Sequence, residues 1–281
     1  MSKDNDTRDM PQLSTEEMDK LMSDLYEGGC DPVTYMAYCA YRYEHETSSG
    51  NPLLGIADAF KEFRGVRMPS EFRKDKETLE ESRRKTLRLK IQMKGVIKPP
   101  MWRQVEVPAD FNFEQLNDVI QIATGLEHAH LWQFQKQAYD NGFLIGTTPT
   151  DEYGFGVEEV TDEACETCIY SVLHDKGDKL EYIYDFGDDW IFTVKVEEVT
   201  DRKGETAELL KWKCDLQAIE DCGGPWAYVD LREALSPDFP QKELKQLPFY
   251  DWYESPKKYR EWLESNVIDP ADVNNGLAEI K

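Results

Sequence analysis

The run Tyr184-Asp185-Phe186-Gly187-Asp188-Asp189-Trp190 constrains this chain more than any other segment. Before it, Leu180, Tyr182 and Tyr184 alternate with charged or small residues. After it, Trp190, Phe192, Val194 and Val196 keep the same period of two. Such alternation is the pattern of half-buried strands, so the run reads as the turn of an antiparallel hairpin with Gly187 at its tip. The turn gathers three carboxylates, Asp185, Asp188 and Asp189, between aromatic residues. A group of that kind suits a hard cation, a basic partner, or the backbone amides of the turn itself.

The same period governs Leu87, Leu89, Ile91 and Met93, and Lys98-Pro99-Pro100 turns the chain into a second strand, 102–107. Residues 110–112 cap a helix carrying Phe113, Leu116, Val119, Ile120 and Ala123, which ends at Gly125. Residues 130–134 return to strand, 139–155 read as a hairpin excursion, and 157–166 as an acidic loop. Beyond Glu208 the pattern turns helical and aromatic, with a tight Cys222-Gly223-Gly224-Pro225 turn and short helices over 228–235, 257–264 and 270–280. Upstream, residues 1–12 read as a disordered leader and 13–85 as a helical region ending in a charged linker. The expected architecture is α+β: an antiparallel sheet with packed helices over 86–281, preceded by a small helical N-terminal region.

Formal net charge is −23 with a pI near 4.6. That field repels nucleic acid and anionic membranes and favours a basic protein partner or a divalent cation. Residues 61–90 depart from it, with eleven Lys or Arg against six Asp or Glu. This stretch reads as a solvated helical linker, and any direct nucleic-acid contact would be a weak one through it. No apolar run reaches the roughly 18 residues of a membrane span, which makes a cytoplasmic protein the expectation. Cys165 and Cys168 have zinc-knuckle spacing, with Cys214 and Cys222 to complete four thiolates, but the second pair is too widely spaced; unrelated reduced thiols are the preferred reading.

Three blocks, 100–134, 182–199 and 220–235, resemble the plasmid ORF-three-like family, named for a root-inducing plasmid and also described as a passenger protein of some insertion elements. The matching residues are Trp102-Arg103, the helix with Leu116 and Ile120-Gln121, His130-Leu131 and Phe134, the Tyr184 to Trp190 run, and Glu220-Asp221-Cys222-Gly223-Gly224-Pro225. The resemblance covers about 86–281 and implies an α+β domain with an antiparallel sheet, without an established activity. Asn117 stands where members often have His, and Leu126 where they often have Trp.

The family-like blocks imply that His130, Asp185, Asp188, Asp189, Trp190, Glu220 and Asp221 share one binding surface. Within it, His130, Asp185, Asp188 and Glu220 are ligand types that a divalent cation would use. The structural readings stand beside this one. The aspartates can cap the hairpin turn, His130 can be a satisfied strand residue, Glu220-Asp221 can cap the glycine turn, and Trp190 can be core. Ser171, His174 and Asp175 make no triad, because closeness in sequence has no geometric meaning for one. The expected function is an acidic binding or adaptor module. The alternative is a metal-dependent hydrolase with Asp185 and Asp188 as ligands and Glu220 as base.

Overall fold

A computed structural model describes residues 73–140, 142–147 and 160–280. The expected leader and N-terminal helices, and most of the 139–155 excursion, lie outside the described residues.

The described chain forms one eight-stranded sheet in the order β5-β4-β3-β6-β7-β1-β2-β8. Its longest strand is β1 (Lys85–Ile97), paired antiparallel with β2 (Pro100–Pro108) on one side and β7 (Trp190–Asp201) on the other. The alternation seen in the sequence is the cause: Leu87, Leu89, Ile91 and Met93 are all buried on one face. The opposite face carries Arg88, which pairs with Glu106 and Glu198 from the two neighbouring strands. The sheet continues through β6 (Lys179–Tyr184), β3 (Trp132–Gln135), β4 (Leu144–Gly146) and the two-residue β5 (Asp162–Glu163). Every pairing is antiparallel except β4 with β5.

Helix α2 (Phe113–Thr124), which follows the short α1 (Lys76–Ser82), starts in a reciprocal capping box of Asn112 and Gln115. It ends at Gly125 in the left-handed conformation that glycine adopts without strain. Its apolar stripe, Phe113, Leu116, Val119, Ile120 and Ala123, is buried, and Phe113 meets Phe134 of β3 edge to face. Among the described residues four further α-helices follow: α3 (Gly224–Glu233), α4 (Gln241–Leu244), α5 (Pro256–Ser265) and α6 (Pro270–Ala278). Helix α3 packs on β1, and α6 packs on both α2 and β8. Among the described residues no helix is long and apolar enough to cross a membrane.

Three sequence expectations are corrected. Residues 208–213, read as helical, form the edge strand β8 (Glu208–Lys213). Leu210 is an extra residue opposite the β2 step from Gln104 to Val105, so a bulge interrupts the alternation that would have marked a strand. The acidic loop over 157–166 contains β5 and a turn of 3-10 helix, Ala164–Glu166. His130 does not begin a strand: it lies in the connection ahead of Trp132, where pairing with β6 starts.

Arg103 is fully buried, and among the described residues it forms no salt bridge. Its guanidinium donates instead to the carbonyls of Ala123, Trp102, Lys213 and Cys214. It thus ties the Ala123 carbonyl in the last turn of α2, the negative end of the helix, to the end of β8. Burial lowers its pKa below the usual arginine value.

Candidate functional site

Three segments far apart in sequence meet at one end of the sheet: the connection 126–131, the β6–β7 turn, and residues 220–224. The connection is held by side chains that satisfy its backbone amides one by one. Glu127 N donates to Glu220 Oε1, His128 N to Gln121 Oε1 at 3.0 Å, and Ala129 N and His130 N to Tyr184 Oη at 2.8 and 3.1 Å. Unpaired, these donors would each cost free energy, so the network fixes the path of the loop and the position of His130.

Tyr184 and Tyr182 supply the scaffold because strand alternation puts both on the inner face of β6. Tyr182 donates to Asn117 Oδ1 at 2.7 Å and accepts from Gln121 Nε2 at 2.6 Å. Tyr184 donates to Glu220 Oε1 at 2.6 Å. Burial, and then the bond to Glu220, raise the Tyr184 phenol well above its ordinary pKa. Asn117 therefore belongs to the support behind the centre rather than to the centre.

The turn is built from aspartates in the left-handed region, at φ 53° for Asp185 and 55° for Asp189. Asp tolerates that region better than most residues because its short side chain bonds locally. Asp185 Oδ1 accepts from Gly187 N at 3.0 Å, and Asp185 N donates to Leu131 O at 2.9 Å. Asp188 Oδ2 accepts from Gly223 N at 3.2 Å, so this carboxylate latches the third segment onto the turn. Gly224 lies so close that a Cβ there would sit 2.3 Å from Asp188 O. Asp221, at φ 56°, completes the set of left-handed aspartates.

His130 Nε2 then faces Asp221 Oδ1 at 3.3 Å, Asp185 Oδ2 at 3.7 Å and Glu220 Oε2 at 3.7 Å. The nitrogen is shielded from solvent and makes no hydrogen bond. Asp185 and Glu220 each tie one oxygen to the scaffold and turn the other toward the imidazole. Among the described residues no lysine or arginine pairs with these three acids; His130 is their one ionisable partner of opposite sign. Ligand atoms of His130, Asp185 and Asp221 lie within 4.8 Å of one another, a spacing that could hold a metal ion.

The structure thus brings together His130, Asp185, Glu220 and Asp221 from the residues expected in the sequence. Asp188 stands beside them as a latch. Asp189 accepts a hydrogen bond from the Tyr139 hydroxyl. Trp190 is fully buried and packs edge to face on Tyr228. Sequence reasoning missed Tyr184, Tyr139 and Gln121. The available signal was the Tyr182/Tyr184 alternation, since a buried phenol needs a polar partner. The four cysteines of the described residues are free thiols: Cys168 donates to Ala109 O, Cys214 meets Tyr228 Oη, and Cys222 is buried with its pKa pushed up to about 12, chiefly by desolvation. No cysteine joins a metal-ligand cluster among the described residues.

Fold and site together define an α+β domain with a carboxylate–imidazole centre assembled from a loop, a hairpin turn and a glycine turn. The chain belongs to the plasmid pRiA4b ORF-3-like protein family, whose match spans residues 85–276. It is 30% identical over 189 residues to the uncharacterized protein y4hQ of Sinorhizobium fredii, covering 67% of this chain and 86% of that one. It is also similar to the crystal structure of MM3350 from Methanosarcina mazei Go1, a protein of unknown function. That likeness has 26% identity and a TM-score of 0.48, over 67% of this chain and 97% of the other.

Proposed function

We propose that the chain is an acidic binding module that takes a cationic group of a basic protein partner at the His130, Asp185, Glu220 and Asp221 centre. The observation that carries this reading is a convergence of carboxylates that no lysine or arginine among the described residues pairs with. Three carboxylate oxygens surround a shielded imidazole nitrogen that has no hydrogen-bond partner. Carboxylates brought together around a single imidazole repel one another, and a multi-donor cation relieves that repulsion while meeting the free acceptors. The bulk charge of −23 supports the reading by steering basic partners toward the surface.

A second reading has its own observation. The spacing of His130, Asp185 and Asp221 suits a divalent ion, with one imidazole and at least two carboxylates as ligands. A hydrolase built on that ion would draw on Glu220 as base. However, Glu220 Oε1 already accepts from Tyr184 Oη and Glu127 N, which leaves only Oε2 for proton transfer.

The test is the double variant Asp185→Asn, Asp221→Asn. Asn occupies the left-handed region as readily as Asp, so the fold is expected to persist while two charges leave the centre. Binding of an oligo-lysine peptide, measured against salt, should weaken by about tenfold or more in the variant. A global charge effect would be small, because −21 differs little from −23. Unchanged peptide binding overturns the proposal. A melting-temperature rise with Mn²⁺, Zn²⁺, Mg²⁺ or Ca²⁺ that the variant loses would move the divalent ion to the front.

A further inference from the structure

The acidic centre is bordered by apolar side chains that the fold leaves in solvent. Leu131 follows His130 directly and is 54% exposed; Phe186 follows Asp185 and is 39% exposed. Tyr139, 55% exposed, donates to Asp189 at the other end of the turn. Trp226 stands in the first turn of α3, two residues after Gly224, and is 80% exposed. Four of the eight large apolar side chains left exposed among the described residues thus belong to the segments that build the centre or bond to its turn. Apolar groups rimmed by polar ones mark interaction surfaces.

From this juxtaposition we propose that the partner's cationic group is a lysine in a segment with apolar flanking residues. The inference rests on the binding reading above and specifies its ligand. Lysine fits better than arginine for three reasons. Its compact ammonium carries three rotatable donors, matching oxygens and a nitrogen that converge from different directions. Planar bidentate recognition by arginine needs both oxygens of one carboxylate. Here Asp185 and Glu220 each have one oxygen engaged by the scaffold, which leaves that grip to the exposed Asp221 alone, whereas a compact ammonium can reach all three acids. The four-carbon stem of lysine can lie along Leu131 and Phe186 while the head reaches the carboxylates. Flanking apolar residues of the same segment would cover Tyr139 and Trp226, whose rings also favour a nearby cation.

The test uses the full chain and dye-labelled pentapeptides followed by fluorescence anisotropy. One peptide has a central lysine between leucine and phenylalanine pairs. The others replace lysine by arginine, acetylate its amine, or replace the flanks by glycine. We expect the apolar-flanked lysine peptide to bind best, with roughly tenfold losses for acetylation and for glycine flanks. The variant Leu131→Ser, Phe186→Ser, both at exposed positions, should bind the two flank types equally. Equal binding of both flank types by the unaltered chain overturns the inference and leaves the acidic-centre reading standing. Arginine binding as tightly as lysine overturns the choice of side chain. Failure of every cationic peptide up to about 1 mM overturns the inference and the reading together.

Discussion

Among the described residues two histidines each sit among at least two carboxylates, and the two groupings are built in opposite ways. In one, His174 Nε2 lies 3.5 Å from Asp175 and its Nδ1 lies 3.7 Å from Asp178. In the other, His130 faces Asp185, Glu220 and Asp221 at nearly the same distances. Distances alone do not separate them. Construction does. The first spans five consecutive residues, and Asp178 Oδ2 caps the turn by accepting from His174 N at 3.0 Å and Asp175 N at 2.8 Å. The carboxylate there is explained by its own backbone. The second draws on three distant segments, holds Asp185 and Asp221 in the left-handed region, and leaves an oxygen of each carboxylate turned toward the imidazole. Backbone strain held by surrounding structure is a reason to look for function, and only the second grouping has it at its ligand residues.

The comparison is tested most severely at Gly224. At φ 75°, with Asp188 O in the way, Gly224→Ala should cost roughly 3–5 kcal/mol and displace the third segment from the hairpin. Denaturant unfolding would report the loss, and the His130 resonances should shift while those of His174 stay in place. If both histidines move together, the two groupings are not independent. Glu220→Ala comes next. It removes the acceptor for Tyr184 Oη and Glu127 N and should cost roughly 2–3 kcal/mol, again with no effect at His174.

Much of the scaffold under this centre was legible in the sequence. The period-two segments at 87–93 and 180–196 became central strands, and the Asn112 and Gly125 signals bounded α2. Their logic is local, so a single chain displays it. Edge strand β8 was not legible, because its bulge against β2 depends on a partner more than a hundred residues away. At the site the residue types were visible and their division of labour was not. Nothing in the run from Tyr184 to Trp190 tells that Asp188 latches Gly223 while Asp185 turns an oxygen to His130. That division follows from the left-handed backbone at Asp185, which a sequence read as alternating strands and a plain turn does not disclose.

Tyr184→Phe sharpens the comparison by removing one oxygen. Ala129 N, His130 N and Glu220 Oε1 all lose a partner, so a cost of about 1–2 kcal/mol is expected, with weaker binding of basic peptides as the loop loosens. It also carries a pH signature. The folded phenol titrates above its ordinary value, first from burial and then from Glu220. Its contribution is therefore complete below about pH 10, the unfolded tyrosine value, and is lost as pH rises from there toward the folded value. Removing the phenol should make stability fall less steeply on that alkaline limb. An unchanged slope would show that Tyr184 is not coupled to the centre as described.

The smallest effect is expected at the local grouping. Asp178→Asn keeps an oxygen that can accept from His174 N and Asp175 N, so stability should change by about 0.5 kcal/mol or less. Binding of the oligo-lysine peptide should not change at all. The prediction is informative because the charge removed is the same as in a single Asp221→Asn, and both lie near an imidazole at similar distance. If the two variants weakened peptide binding equally, the protein would be acting through net charge, and assembly from distant segments would confer nothing. If only Asp221→Asn weakens it, the oxygens turned toward His130 are the ones that bind.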